Sequence, residues 1–430
     1  MITIKDSVLE GKRLTSRVSA TGECDRYIKN SDFFAEYDAE ICDNKSLLNI
    51  PLTATVLPLA WLTGSNIIVG SLDRVFKENM DSLQNLFKKM YPLLPGSTEI
   101  IAEELVENKI GDIEDKLNIA LFFSGGVDSS YSIIKNLDKH PKLVMIWGCD
   151  NFAYPERKIH WEKAIETYSR QADIHGLQLY VIKTNISQIL DKPRIEHDFY
   201  KPLGYRDFRQ ALQHSLVLLP LAAPLSENRF NHILVAASAD SEYDFDLDPY
   251  ACRPEADEKI VWADLMVSQD GQIRREEKIK EIARYLKKGD LVIRVCIRTD
   301  DRVAEKYGLL NDCSCEKCYR TIMNLIQENT DPNLCGFKVD EHTFKAMKKF
   351  IEEQYDPYKN YYWKNIQSEI PRSIELDIYG SKEFQEFFRV HQLPEPRQLG
   401  VYRDLYFNSP FVIAKYLLKY FYNPLGIHIR

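Results

Sequence analysis

The run Ser124-Gly125-Gly126-Val127-Asp128-Ser129-Ser130 has the composition of a phosphate-binding turn. Two adjacent glycines can adopt positive φ and put no side chain in front of the backbone, so successive N–H groups can point at one anion. A helix opening here adds its unpaired N–H groups and its positive dipole end to the same site. Ser124, Ser129 and Ser130 bring hydroxyl donors. Asp128 repels phosphate by itself, which leaves it the task of holding Mg²⁺ or orienting the helix end. A plain strand-to-helix connection needs one capping residue and not this whole string. The lysine of a Walker A loop is missing, which argues against GTPases and kinases.

Cysteine is the second source of chemistry. There are nine, an odd number, and only Cys313, Cys315 and Cys318 lie close together. This argues against a disulfide framework and for a reducing compartment with one metal site. Several other polar groups have a bland reading beside the functional one. His214-Ser215 opens an apolar helix, while Ser238, Asp240 and Glu242 follow an apolar run; both places could face a cleft at the ends of strands. Asp244, Asp246 and Asp248 lack the spacing of an EF-hand and read as a solvated loop. Arg157, His160 and the run Arg274-Arg275-Glu276-Glu277-Lys278 read as solvated helix faces. Tyr358, Tyr361, Tyr362 and Trp363 could stack on bases, but an aromatic helix packed on the core is the simpler account.

Such residues need a scaffold. Residues 117–123 (LNIALFF) form a short apolar run suited to a strand buried on both faces. Behind the glycine turn follow a helix over 129–137, a strand over 143–147, a helix over 156–175 and a strand over 179–184. Further strands are expected at 233–237 and 291–297. Alternation at this spacing predicts an α/β domain over 117–330, with a parallel sheet covered by helices on both sides. Ahead of it, 32–41 and 66–70 read as strands and 71–91 as an amphipathic helix capped by Ser71. Residues 1–116 thus form a mixed α+β module. Beyond Asp331-Pro332-Asn333 the segments become helical and aromatic-rich, as at 410–422, so 331–430 reads as a helical module.

The string SGGxDS after a first strand resembles the signature of the PP-loop ATP pyrophosphatases. That family includes asparagine synthetase, NAD synthetase, tRNA-thiolating enzymes and 7-cyano-7-deazaguanine synthase. The resemblance implies a doubly wound parallel sheet of HUP-like type, cleavage of ATP into AMP and PPi, and adenylation of an acceptor. Residues 124–130 would then bind ATP, with Mg²⁺ on Asp128 and Ser129 beside the departing PPi; Asp150 falls where related enzymes contact adenine. Tyr250-Ala251-Cys252-Arg253-Pro254-Glu255 looks like the CRPE-type segment of the deazaguanine synthases, which makes Arg253 the candidate for the acceptor. Cys313, Cys315 and Cys318 look like their zinc-binding run, with Cys296 as fourth ligand of a closed, structural Zn²⁺ site. The family spacing is C-x2-C-x2-C, whereas this chain has C-x-C-x2-C. The likeness covers residues 117–325, and the flanking modules suggest a different or larger acceptor.

Bulk properties narrow the partners. The chain has 430 residues, 44% apolar and 28% charged, enough for two or three domains. Its 56 basic and 64 acidic side chains give a net charge of −8, which weighs against a large nucleic-acid substrate. No signal peptide opens the sequence, and the longest apolar run, 216–225, is too short to span a bilayer, so a cytoplasmic protein is expected. Expected partners are a small-molecule or protein-terminus acceptor and ammonia or an amine as donor, with a homodimer as an allowed assembly. Two alternatives stay open: sulfur transfer through exposed low-pKa cysteines, and a nucleotide-binding sensor or scaffold without turnover.

Overall fold

The computed structural model of the chain describes residues 1–95, 98–111, 118–149, 152, 154–204, 206–241, 243, 245, 249–286, 291–296, 301–353 and 360–393. Its strands are β1 (Ile2–Glu10), β2 (Arg13–Ala20), β3 (Asp32–Tyr37), β4 (Ile67–Asp73), β5 (Ile100–Val106), β6 (Ile119–Phe122), β7 (Lys142–Trp147), β8 (Leu179–Thr184), β9 (His232–Ala236) and β10 (Met266–Asp270). The helices that matter below are α1 (Ile50–Thr63), α2 (Arg74–Met90), α3 (Val127–Lys135), α4 (Lys158–Ile174), α5 (Arg275–Leu286), α6 (Glu316–Gln327), α7 (Thr343–Glu353), α8 (Asn360–Ser368) and α9 (Ser381–Val390).

All ten strands join one sheet in the order β10-β9-β6-β7-β8-β3-β2-β1-β4-β5. Pairing is antiparallel only for β1–β2, β2–β3 and β3–β8, and parallel elsewhere. The molecule is therefore an α/β protein with a mostly parallel sheet. The β3–β8 pair, with Ala35 opposite Thr184 and Glu36 opposite Lys183, carries the sheet from the first region into the second.

Side chains of the central strands alternate between two cores. Ala120, Val144, Ile146, Tyr180 and Ile182 enter one, which also holds α1. Ile119, Leu121, Leu143 and Met145 enter the other, against Ile133 of α3 and Trp161, Ala164 and Tyr168 of α4. Cover on both faces is why these strands read as unbroken apolar runs. A third core, with Ile279, Ile322, Met347, Trp363 and Phe388, is closed by α5 to α9. The segment 410–422 lies outside the described residues. Among the described residues, no helix is long and apolar enough to cross a membrane.

Two expectations change, and one helix was not foreseen. Helix α2 starts at Arg74 and is capped by Asp73, whose carboxylate accepts from Phe76 N at 2.7 Å; Ser71 stays in β4. Residues 291–296 form no strand, because Ile293 N–H is spent on Cys335 O (2.9 Å) and Arg294 N–H on Gly125 O (2.6 Å). Helix α1 was invisible to periodicity: it is buried from Ile50 to Leu62 and apolar all round, so it has no polar face to betray it.

Candidate functional site

The chain leaves β6 at Phe122, turns through Ser124 and Gly125, and enters α3 with Gly126 as its N-cap. Gly125 sits at φ +74°, and a Cβ there would meet the Tyr168 hydroxyl oxygen at 1.9 Å. Tyr168 is fully buried, and among the described residues its hydroxyl has no hydrogen-bond partner. Burial pushes this phenol well above its ordinary range, so it remains a protonated donor. Arg294 clamps the turn from behind: its N–H donates to Gly125 O and its Nε to Ser124 O at 2.9 Å. With those carbonyls held, the first N–H groups of α3, which have no acceptor within the helix, are left for an external ligand. Gly125→Ala must displace either the backbone or Tyr168. We expect it to destabilise the fold by about 1–3 kcal/mol, the usual scale of such strain, measured by urea unfolding. An unchanged midpoint would contradict this account of the turn.

Asp128, on the first turn of α3, lies 2.8 Å from Lys278 Nζ. Lys278 is only 1% exposed and also donates to Ala237 O at 2.6 Å. Burial alone would raise the Asp128 carboxyl, but Lys278, Arg275 and Lys317 together outweigh it and hold it below the usual carboxylate range. Arg275 also donates to Thr321 Oγ1 of α6 at 3.1 Å. Arg275 and Lys278 are three residues apart on one face of α5, so the run 274–278 is not simply a solvated face. The signal lay in Ile279, Ile282 and Ala283, which mark the same side of the helix as buried.

A cavity of about 470 Å³ opens at the carboxyl ends of β6, β7 and β9, the position where open α/β sheets bind ligands. Ser124, Gly126, Val127, Asp128 and Ser129 form one wall. Among the described residues, Arg209, Arg275, Arg294 and Lys317 bring four cations to it, against Asp128 as the one carboxylate. That balance favours a polyanion. Val144, Ile146 and Phe152 supply an apolar wall, and Arg294 stacks 4.6 Å from the Phe152 ring centroid.

No family model, curated protein or solved structure matches the chain. The site therefore stands on its own residues. Among those singled out from sequence, Gly125 lies behind the wall against Tyr168, and Ser130 is fully buried with its hydroxyl unpartnered among the described residues. His214 and Ser238 do line the cavity. Asp150, Glu242, Asp244, Asp246, Asp248 and Tyr358 lie outside the described residues. Arg253 is buried, bonded to Glu255 at 2.8 Å and stacked on Phe245, and is not on the wall; Tyr250 and Cys252 of the same segment are. His160 is buried beneath the Phe152 ring, so it is not part of a solvated face. Arg209, Arg294 and Lys317 carried no sequence signal, because single cations far apart in the chain have no spacing to read.

The metal cluster differs from expectation by one ligand. Ligand atoms of Cys296, Asp312, Cys315 and Cys318 all lie within 4.8 Å of one another. Cys315 Sγ is 3.4 Å from Cys318 Sγ and 3.9 Å from Cys296 Sγ, and Cys318 Sγ is 3.4 Å from Asp312 Oδ1. Asp312 also accepts from Ser314 N and Cys315 N, a local turn that aims its carboxylate at the start of α6. Cys313, at φ +55°, directs its thiol to Lys338 N–H at 3.1 Å and stands outside the four. The short C-x-C step is the reason: with Cys315 as the N-cap of α6, the residue two earlier faces the other way. Three thiolates and a carboxylate are donors that suit zinc, held structurally.

One further ionisable group is out of place for stability. Asp257 is 0% exposed, and burial raises its carboxyl from 3.8 to about 6. Its folded pKa exceeds the unfolded one, so the stability linked to its protonated form is complete below 3.8 and is lost as pH rises through about 6. Asp257→Asn should therefore stabilise the protein by about 3 kcal/mol above neutral pH and by much less near pH 4. Thermal midpoints across that range read the difference, and a pH-independent offset would exclude a raised Asp257.

Proposed function

We propose that this chain is an ATP-dependent ligase of the PP-loop pyrophosphatase type, which adenylates an acceptor carboxylate with release of PPi and lets ammonia or an amine take the acyl group. The observation that carries the reading is the positive-φ turn at Gly125, which opens α3 at the cavity wall below four cations. Backbone N–H groups of residues 126–129 and the side chains of Arg275, Arg294 and Lys317 stabilise charge on the departing PPi. Asp128, paired with Lys278, would hold Mg²⁺, which when bound would supply charge to offset that of the phosphates. Val144, Ile146 and Phe152 give an adenine ring an apolar seat.

The acceptor carboxylate enters beside Tyr250 and Cys252, in the segment that resembles the deazaguanine synthases. PPi release from ATP, measured against a panel of deazaguanine acids, sugar acids and peptides, tests the whole reading. Tight ATP binding with no PPi from any of them would instead support a nucleotide-binding protein without turnover. Sulfur relay is disfavoured: burial pushes Cys313 up to about 11 and Cys335 to about 12, the opposite of a persulfide-accepting thiol.

A further inference from the structure

Cys252 lines the cavity that the phosphate turn opens into, yet its thiol belongs to a buried polar cluster that phosphate binding does not use. Its Sγ lies 3.6 Å from Asp257 Oδ2 and 3.8 Å from Gln269 Nε2, and Gln269 Nε2 donates to Asp257 Oδ2 at 2.6 Å. Ser215 lies close enough to Asp257 to favour its charged form, and the Ser215 hydroxyl is 3.5 Å from His214 Nδ1. His214 lines the same cavity, so a chain of polar groups leads from the thiol through a fully buried carboxylate and back to the site. A cysteine that merely packs does not need a carboxylate buried beside it at a cost in stability.

We propose that Cys252 is a nucleophile that receives the acyl group before the amine does, with Asp257 as its general base. This rests on the adenylating function proposed above. In the first step the sulfur attacks the carbonyl carbon of the acyl adenylate, and the S–H proton passes to Asp257. The C–S bond forms as the bond from that carbon to the AMP oxygen breaks, and AMP leaves with the electron pair. In the second step the amine nitrogen attacks the thioester carbon, the C–S bond breaks, and the proton lost by the amine restores the thiol. Asp257 returns its own proton to the cavity through Ser215 and His214. No oxidant or reductant is involved, and the gain is that AMP departs before the amine must enter.

Synthetic acetyl adenylate reads this step without needing ATP cleavage or the natural acceptor. Full-length protein should gain one acetyl group on Cys252, labile to hydroxylamine, as located by peptide mass spectrometry. Asp257→Asn should slow that labelling by about a hundredfold, the lower end of what a general base supplies. Cys252→Ser, the closest isostere, should carry no hydroxylamine-labile thioester while keeping the native circular dichroism. Absence of label from Cys252 in the native protein, or labelling unchanged in Asp257→Asn, overturns the proposal. PPi release from ATP over the acceptor panel is followed in parallel: its failure counts against adenylation by this site, whereas missing acetylation with PPi release intact counts against Cys252 alone.

Discussion

On the function proposed above, stripping a metal held by Cys296, Asp312, Cys315 and Cys318 is expected to weaken ATP binding by about ten- to a hundredfold, although none of the four belongs to the glycine turn at 124–130. The reason is where the ligands sit in the chain. Cys296 follows Arg294 by two residues, and Arg294 holds the carbonyls of Ser124 and Gly125. Cys315 and Cys318 flank Lys317, which reaches the cavity, and they open α6, whose Thr321 receives Arg275. A metal ion there buckles together the two segments that deliver cations to the turn. Losing one charge-assisted contact at about 1.5–3 kcal/mol sets the size of the effect. Calorimetric titration of ATP into loaded and chelator-treated protein, with metal content measured on the same samples, checks it. Equal affinity in the two would show that the cluster and the cavity are independent. Two variants separate the ligand sets: Asp312→Ala should lose the metal, and Cys313→Ser should keep it.

The second large effect is at Asp128, where activity and stability change together. Asp128→Ala should abolish PPi release, since it removes the carboxylate assigned to Mg²⁺. It also leaves Lys278, 1% exposed, without its ion-pair partner. Breaking a buried pair from one side costs about 3 kcal/mol or more, so this variant is less stable as well as inactive. Asp128→Ala combined with Lys278→Met removes both charges and should recover most of the loss in urea unfolding, with PPi release still absent. A double variant as unstable as the single one would mean that Lys278 is held by Ala237 O and not by Asp128. The sign of the pH dependence follows. Asp128 titrates lower in the folded state, so its contribution is present above the unfolded carboxylate pKa and is lost as pH falls through the folded one. Acid unfolding of the double variant should lack that component.

Much of the central architecture was legible because it rests on local pattern. The apolar runs of β6, β7, β8 and β9 and the helices between them announce a parallel sheet, since a strand covered on both faces has no polar side to show. The turn at 124–130 was equally plain, because positive φ and an open backbone demand glycine in a fixed place. Helix α1 and β10 were missed for opposite reasons: the first is apolar all round, and the second, Met266–Asp270, is too short and polar to stand out.

What the sequence by itself determined is therefore the glycine turn at 124–130, the alternation of strand and helix around it, and the presence of a cysteine group able to hold a metal. Only the tertiary structure placed Asp312 inside the cluster that could hold a metal and Cys313 outside it, because one residue of spacing rotates a side chain to the other side of a turn. It also decided which charges matter. Arg209, Arg275, Lys278, Arg294 and Lys317 are scattered over more than a hundred residues and converge on one turn and its cavity by folding, and no local pattern records a convergence that long-range packing creates.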